Sequence, residues 1–204
     1  MDGKPATHSG DDQIRAALIE AAAQVFAEEG YSGARVQSIA ERAGLTTGAM
    51  YNRFSGKSEL LLEALDLHTT NLVTELANAE LSATDLLETV GAALLDDHSP
   101  ASALLLEAFM AARREEDIAD RLRPRLADER ARLAKLVDAD KDAGVIDNTL
   151  DTNAVVTFCQ SVGLGMRMLS VIDAEMPDPQ AWQNVISVLL ASMAPEVGDA
   201  PGNS

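Results

Sequence analysis

A helical period runs through almost every apolar segment of this 204-residue chain, and no stretch alternates in the β-branched manner of a strand. Apolar residues spaced at i, i+4, i+7 and i+11 line one face of a helix, and with no sheet to cover them they must be buried against other helices, so the expected fold class is all-α. The first helix is expected over 11–29, with Ile14, Leu18, Ala21 and Val25 as its stripe and Gly30 as its stop. Two short helices follow, Val36 to Ala43 and Thr47 to Phe54, joined by Gly44-Leu45-Thr46. The Thr46 hydroxyl is suited to cap the second. From Lys57 to about Asn78 the stripe Leu61, Leu65, His68, Leu72, Leu76 marks a longer helix, and further helices are expected over 83–97, 100–116, 118–142, 151–173 and 178–194. Pro124 is expected to kink or start one of them.

Composition narrows the function classes. A single cysteine, Cys159, excludes an intrachain disulfide framework and a cysteine-rich zinc site, so no metal or cofactor is expected. The N-terminus MDGKPATHSGDD is polar, and no run approaches 18 uncharged apolar residues, so the expected location is the cytoplasm, with no membrane partner. His8, His68 and His98 are scattered, and there is no nucleophile–base pair, HExxH or phosphate loop; no catalytic residue is assigned and no enzyme is expected.

Charge is distributed unevenly. The net charge of -17 repels phosphates as a whole-molecule field. Residues 1–60, however, hold six bases and eight acids, whereas 61–204 hold ten bases and 25 acids. Within VQSIAERAGLTTGAMYNRFSGK the only acid is Glu41, while Arg35 borders the segment and Arg42, Arg53 and Lys57 lie inside it. Two short helices with a tight glycine turn form a helix-turn-helix, which lays its second helix in the major groove of DNA. Ile39, Ala40 and Ala43 would pack inward, Leu45 would fill the turn, and Met50 and Phe54 would seat the second helix on Val25 and Phe26. Thr47, Gly48, Ala49, Asn52 and Arg53 then form the outer face.

The run from Ile14 through FAEEGYSGARVQSIAERAGLTTGAMYNRFSGKSELLLEAL resembles the N-terminal domain of TetR-family transcriptional regulators, with its F-x-x-x-G-[YF], I-A-x-x-A-G-[VL], Y-x-x-F and K-x-x-L pattern. The resemblance implies that Thr47, Gly48 and Ala49 open the recognition helix against base edges and that Tyr51 and Lys57 bind phosphate. It implies that Asn52 and Arg53 reach bases or phosphates, and Arg35, Gln37 and Thr46 complete the implied DNA-binding set. The chemistry suits the residues: Asn pairs with adenine, Arg with guanine, and a threonine methyl meets the thymine methyl. Where the family often has a threonine before the first helix of the motif, this chain reads Ala34-Arg35; Ser32 or Ser38 is the compensating cap, and Arg35 replaces the phosphate contact.

The organisation expected is a disordered tail over 1–10, a helix-turn-helix DNA-binding domain over 11–57, a helical effector-binding and dimerisation domain over 58–195, and a disordered tail over 196–204. The segment 100–116 is apolar all round and expected to be buried, and its one acid within the apolar run, Glu107, needs a partner: an arginine such as Arg167, a helix edge, or a ligand. The resemblance implies an effector pocket, for which Leu65, His68, Leu72, Leu105, Glu107, Phe109, Met110, Phe158, Val162 and Met166 are the candidate lining. It also implies a four-helix dimer interface, to which Leu164, Arg167, Val171, Trp182, Val185, Ile186, Leu189 and Met193 are assigned; an intrachain bundle is the other use of those faces. The function implied is a homodimeric, ligand-responsive repressor of a palindromic DNA operator, released by a small effector. The alternative is a helical small-molecule binder or scaffold that has lost operator recognition.

Overall fold

The computed structural model describes residues 8–68, 82, 100–172 and 174–195; Leu72, His98 and the helical segments expected over 69–78 and 83–97 lie outside the described residues. Every regular element among the described residues is an α-helix: α1 (His8–Gly33), α2 (Val36–Arg42), α3 (Thr47–Tyr51), α4 (Lys57–His68), α5 (Pro100–Ala112), α6 (Glu116–Asp142), α7 (Thr152–Val171) and α8 (Pro179–Met193). The fold is all-α, with a helix-turn-helix near the N-terminus and a larger helical portion after it. The described residues form two compact units, one of 8–68 with 100–125 and the other of 126–172 with 174–195. The first unit reaches past the boundary expected at residue 57 because α1 packs on α4 and α5 as well as on α2.

Most helix boundaries have a local chemical cause. At the end of α2 the Gly44 N–H bonds Glu41 O at 3.0 Å and the Leu45 N–H bonds Ala40 O at 2.9 Å, a Schellman closure that needs the positive φ of Gly44. The same closure ends α6, where Gly144 and Val145 donate to Lys141 O and Asp140 O. Asp151 caps α7 through Ala154 N–H, and Asp178 caps α8 through Gln180 and Ala181, with Pro179 in the first turn. Pro124 lies inside α6 and starts no helix. α1 begins at His8, so residues 8–10, expected in the disordered tail, are helical.

The core of the first unit is built from Leu18, Ala22, Val25 and Phe26 of α1, Ile39 of α2, Met50, Phe54, Leu60, Leu61 and Leu104, all with essentially no exposed surface. Burying a side chain of the size of Phe26 contributes about 2 to 3 kcal/mol, so these residues set the scale of the unit's stability. α5 is not buried all round, contrary to expectation: Ala101, Leu104, Ala108 and Ala111 are buried, but Met110 is 43% exposed. α1 and α4 pack on α5, whose buried residues are Ala101, Ser102, Leu104, Ala108 and Ala111, and Met110 lies off that face. The second unit has a smaller core of Leu133, Val137, Ile146, Val155 and Val156, with Cys159 and Met193 packed against it. Burial there pushes the Cys159 thiol up to about 11.

The two units differ in one respect that matters for the helix-turn-helix. In the first, helix packing is fastened by a polar cluster around Tyr31. α1 breaks at Gly30 (φ 69, ψ 162), and the next N–H, that of Tyr31, donates to Glu107 Oε2 at 2.7 Å. The Tyr31 hydroxyl donates to Glu115 Oε2 at 2.7 Å, its carbonyl accepts from Lys57 Nζ at 2.7 Å, and Lys57 Nζ also lies 4.3 Å from the ring centroid. Every polar group of one residue is therefore tied to α4, α5 or the turn before α6.

Burial, and then the Glu115 carboxylate, hold the Tyr31 phenol well above its ordinary range. In the unfolded chain the group ionises near pH 10, so above that pH the unfolded state loses a proton that the folded state keeps. The contribution is fully present below pH 10 and is lost as pH rises through the folded value. Chemical denaturation of the wild type between pH 9 and 11.5 should therefore show stability falling more steeply than in Tyr31→Phe, by up to about 1.4 kcal/mol per pH unit. Equal slopes would contradict the assignment.

Candidate nucleic-acid interface

The helix-turn-helix is arranged so that its apolar residues point inward. Ile39 and Ala40 of α2 and Met50 of α3 are buried, and Leu45 in the turn is half-buried. Thr46 caps α3: its Oγ1 accepts the Ala49 N–H at 3.1 Å, satisfying one of the donors a helix start leaves free. α3 ends at Tyr51, three residues earlier than expected, because the Arg53 and Phe54 N–H groups both turn back to Met50 O at 2.9 Å. Asn52 is its C-cap. The N-cap of α2 is Arg35, whose side chain makes no capping bond, and among the described residues neither Ser32 nor Ser38 supplies one.

Thr46, Thr47, Gly48, Tyr51 and Asn52 are exposed together, with Ala49 half-buried among them, and Tyr51 is 59% exposed. Gln37, Ala40, Glu41, Leu45, Thr46 and Thr47 line a shallow depression of about 280 Å³ beside this face. Gln37 is turned along its own helix, donating to Glu41 Oε1 at 2.7 Å. The exposed set offers hydroxyl, amide and phenol groups and a glycine that permits close approach, which is the chemistry of a base-reading surface.

The cations behave differently from the polar face. Arg53 is drawn back onto the protein: its guanidinium donates to Ala49 O at 2.9 Å and pairs with Asp11, and its side chain is only 18% exposed. Lys57 is likewise spent on the carbonyls of Tyr31 and Ala34 at 2.7 and 3.3 Å. Arg42 pairs with Glu28 at 2.7 Å. Arg35 is exposed at the entrance to α2. Asp11, Glu28 and Glu107 are residues that sequence reasoning did not assign to this region: Asp11 and Glu28 pair with Arg53 and Arg42, and Glu107 takes the Tyr31 N–H, a pairing that has no signal in the sequence.

The remaining candidates are spread over both units. Leu65, His68, Leu105, Glu107, Phe109 and Met110 belong to the first, and Phe158, Val162 and Met166 to the second. Leu65 and Met166 are buried, Phe158 is 39% exposed, and His68 Nε2 lies 3.1 Å from Glu20 Oε2 without the alignment of a hydrogen bond. Glu107, for which an arginine such as Arg167, a helix edge or a ligand was expected, takes the backbone N–H of Tyr31 as its partner. On α7 and α8, Leu164, Arg167, Val171 and Trp182 are half-buried, whereas Val185 and Leu189 are exposed. Ile186 is turned inward at 2% exposure, and Met193 is partly buried against the core of the second unit. Met168, Leu169, Ile172 and Val188, none of them assigned in advance, are exposed instead. α7, with a mean hydropathy of 1.3, is long and apolar enough by length and composition to cross a membrane, although it contains Arg167 and several Ser, Thr, Asn and Gln residues and so is no uncharged apolar run.

Comparison with known proteins supplies the family. The sequence pattern of the bacterial regulatory proteins of the tetR family matches residues 18–64. The chain is 30% identical over 147 residues to the HTH-type transcriptional repressor Rv3405c of Mycobacterium tuberculosis, covering 66% of this chain and 75% of that protein. It is 39% identical over 83 residues to the HTH-type transcriptional activator FasR of Mycolicibacterium smegmatis, covering 41% of this chain and 38% of FasR, and 31% identical over 113 residues to the transcriptional repressor TetR of Mycobacteroides abscessus, covering 55% of this chain and 60% of that protein. The chain thus spans less than two thirds of these last two relatives. Among solved structures, a TetR-family regulator from Cytophaga hutchinsonii has the same fold with a TM-score of 0.75 at 17% identity, over 94% of this chain and 98% of that one. FadR from Bacillus subtilis, in complex with stearoyl-CoA, matches with a TM-score of 0.70 at 21% identity, over 87% and 98% of the two chains. With the helix-turn-helix, its exposed polar face and a relative matched over three quarters of its length, the chain belongs to the TetR family of bacterial regulatory proteins.

Proposed function

We propose that this protein is a sequence-specific DNA-binding transcriptional regulator of the cytoplasm, working as a homodimeric repressor of a palindromic operator and released by a small, mainly hydrophobic effector. The observation that carries the reading is the exposed face of Thr46, Thr47, Gly48, Tyr51 and Asn52, held outward by a capped α3 over a fully buried Met50 and Phe54. Among the described residues, the Thr46 cap is the only side-chain use made of these groups, which supports a nucleic acid as their partner. Rv3405c and the M. abscessus TetR are named as repressors and FasR as an activator; repression, by steric occupation of the operator, is the reading taken for this chain. The half-buried, apolar Leu105 and Phe109 in the first unit favour a hydrophobic effector.

Dimerisation is assigned to α7 and α8, where Met168, Leu169, Ile172, Val185, Val188 and Leu189 are exposed within one unit. An exposed apolar set of this size marks an interaction surface. Val188→Asp with Leu189→Asp should give a monomer in sedimentation, while the fold, read by circular dichroism, is retained; a double variant that stays dimeric would move the interface elsewhere.

DNA reading is tested by selecting duplexes from a random pool with the full chain. The enriched sequence should be an inverted repeat with half-sites one helical turn apart. Asn52→Ala should cost about 1 to 3 kcal/mol of discrimination at one base position per half-site and leave the salt dependence nearly unchanged. Arg35→Ala, which removes two charges from a dimer, should weaken all sequences alike and flatten the slope of log affinity against log salt by roughly two. No enrichment at all, or an Asn52→Ala loss equal for every sequence, would contradict the reading.

A further inference from the structure

We propose that Glu107, a residue remote in sequence from the helix-turn-helix, is a positioning residue for DNA reading, because its carboxylate fixes the direction in which the chain leaves α1 for α2. The inference rests on the DNA-binding reading above. Glu107 is the one charged residue of α5, and it is spent on a backbone group 76 positions away: its Oε2 accepts the Tyr31 N–H at 2.7 Å. That N–H is the first after the Gly30 break, at the point where α1 stops dictating the path of the chain. The contact is close. A Cβ at Gly30 would sit 3.3 Å from Oε1 and 3.4 Å from Oε2, so the glycine provides both the positive φ and the room for the carboxylate.

The consequence reaches the reading face through few steps. Immediately beyond Tyr31 the Tyr31 and Ala34 carbonyls receive Lys57 Nζ, and Arg35, the next residue, is the extended N-cap of α2. A short path with a charge-assisted bond at its start thus sets the angle at which α2 and α3 are presented. Base contacts are directional and fail when that angle changes, whereas contacts to phosphate through long cationic side chains tolerate it. Loss of the Glu107 contact should therefore lower discrimination more than it lowers general affinity for DNA.

Two variants separate reach from charge. Glu107→Gln keeps the length and an acceptor oxygen, while Glu107→Asp keeps the charge but withdraws the oxygen by about 1.5 Å. The probes are the duplex enriched by the unmodified full chain and a scrambled duplex of the same length. For Glu107→Gln the affinity ratio between them should stay within about threefold of wild type. For Glu107→Asp it should fall by about tenfold or more, with affinity for the scrambled duplex and the salt slope unchanged. If Glu107→Asp does not fold, as read by circular dichroism, Glu107→Met removes the acceptor at similar volume and should show the same fall. The proposal is overturned if the shortened or acceptor-free variant keeps its ratio, if Gln loses as much as Asp, or if both duplexes weaken together as in general destabilisation. With an enriched duplex in hand, each of these results removes Glu107 alone and leaves the DNA-binding reading intact; absence of any enriched duplex removes both.

Discussion

The first unit of this protein depends on how one backbone break is held. α1 cannot continue as a regular helix through Gly30 at φ 69, and a break of this kind leaves the following segment free to point in many directions. Helix packing alone would hold it loosely, since α2 and α3 are seven and five residues long and too short to be stable by themselves. Tyr31 restricts it. Its N–H, carbonyl, hydroxyl and ring each have a partner, on α5, on α4 and just before α6, and its side chain is 4% exposed beside Phe26. Buried polar groups are costly when unpaired and specific when paired, so a cluster in which every group is matched favours one geometry over its neighbours.

The same economy explains how a chain of net charge -17 presents a surface for DNA. Its bases near the motif are held in place by its own acids and carbonyls: Arg53 by Asp11, Arg42 by Glu28, Lys57 by two carbonyl oxygens. The exposed Arg42–Glu28 pair contributes little stability, so its role is orientation more than strength. What remains outward is largely neutral: hydroxyls, an amide and a phenol, with Arg35 at the edge. Affinity in such an arrangement comes less from bulk charge and more from geometry, which makes the pose of α3 the quantity that matters.

Features with a local cause were legible in the sequence. Gly30 and Gly44 take positive φ, Thr46 caps α3, and the turn of residues 43–45 closes because the sequence places glycine where the closure needs it. Pairings between distant segments were not legible. Helical period shows that Glu107 lies in an apolar run but not that its partner is a backbone N–H 76 residues earlier. The wide apolar face of α8 shows the same limit: its period marks Val185, Ile186 and Leu189 alike, and only the packing reveals that Ile186 turns inward while the others stay exposed. α3 is shorter than its pattern because Arg53 and Phe54 close a turn on Met50, a choice that composition does not encode.

The central claim is that a pre-set α3 face, held through Tyr31, is what meets DNA. Amide hydrogen exchange of the full chain, with and without a duplex enriched from a random pool, tests it most directly. The account predicts that the Tyr31 amide exchanges slowly in the free protein and that added duplex slows exchange over 46–53 and little elsewhere in the first unit. A Tyr31 amide that exchanges as fast as an exposed turn, or protection by duplex that leaves 46–53 unchanged, would contradict it.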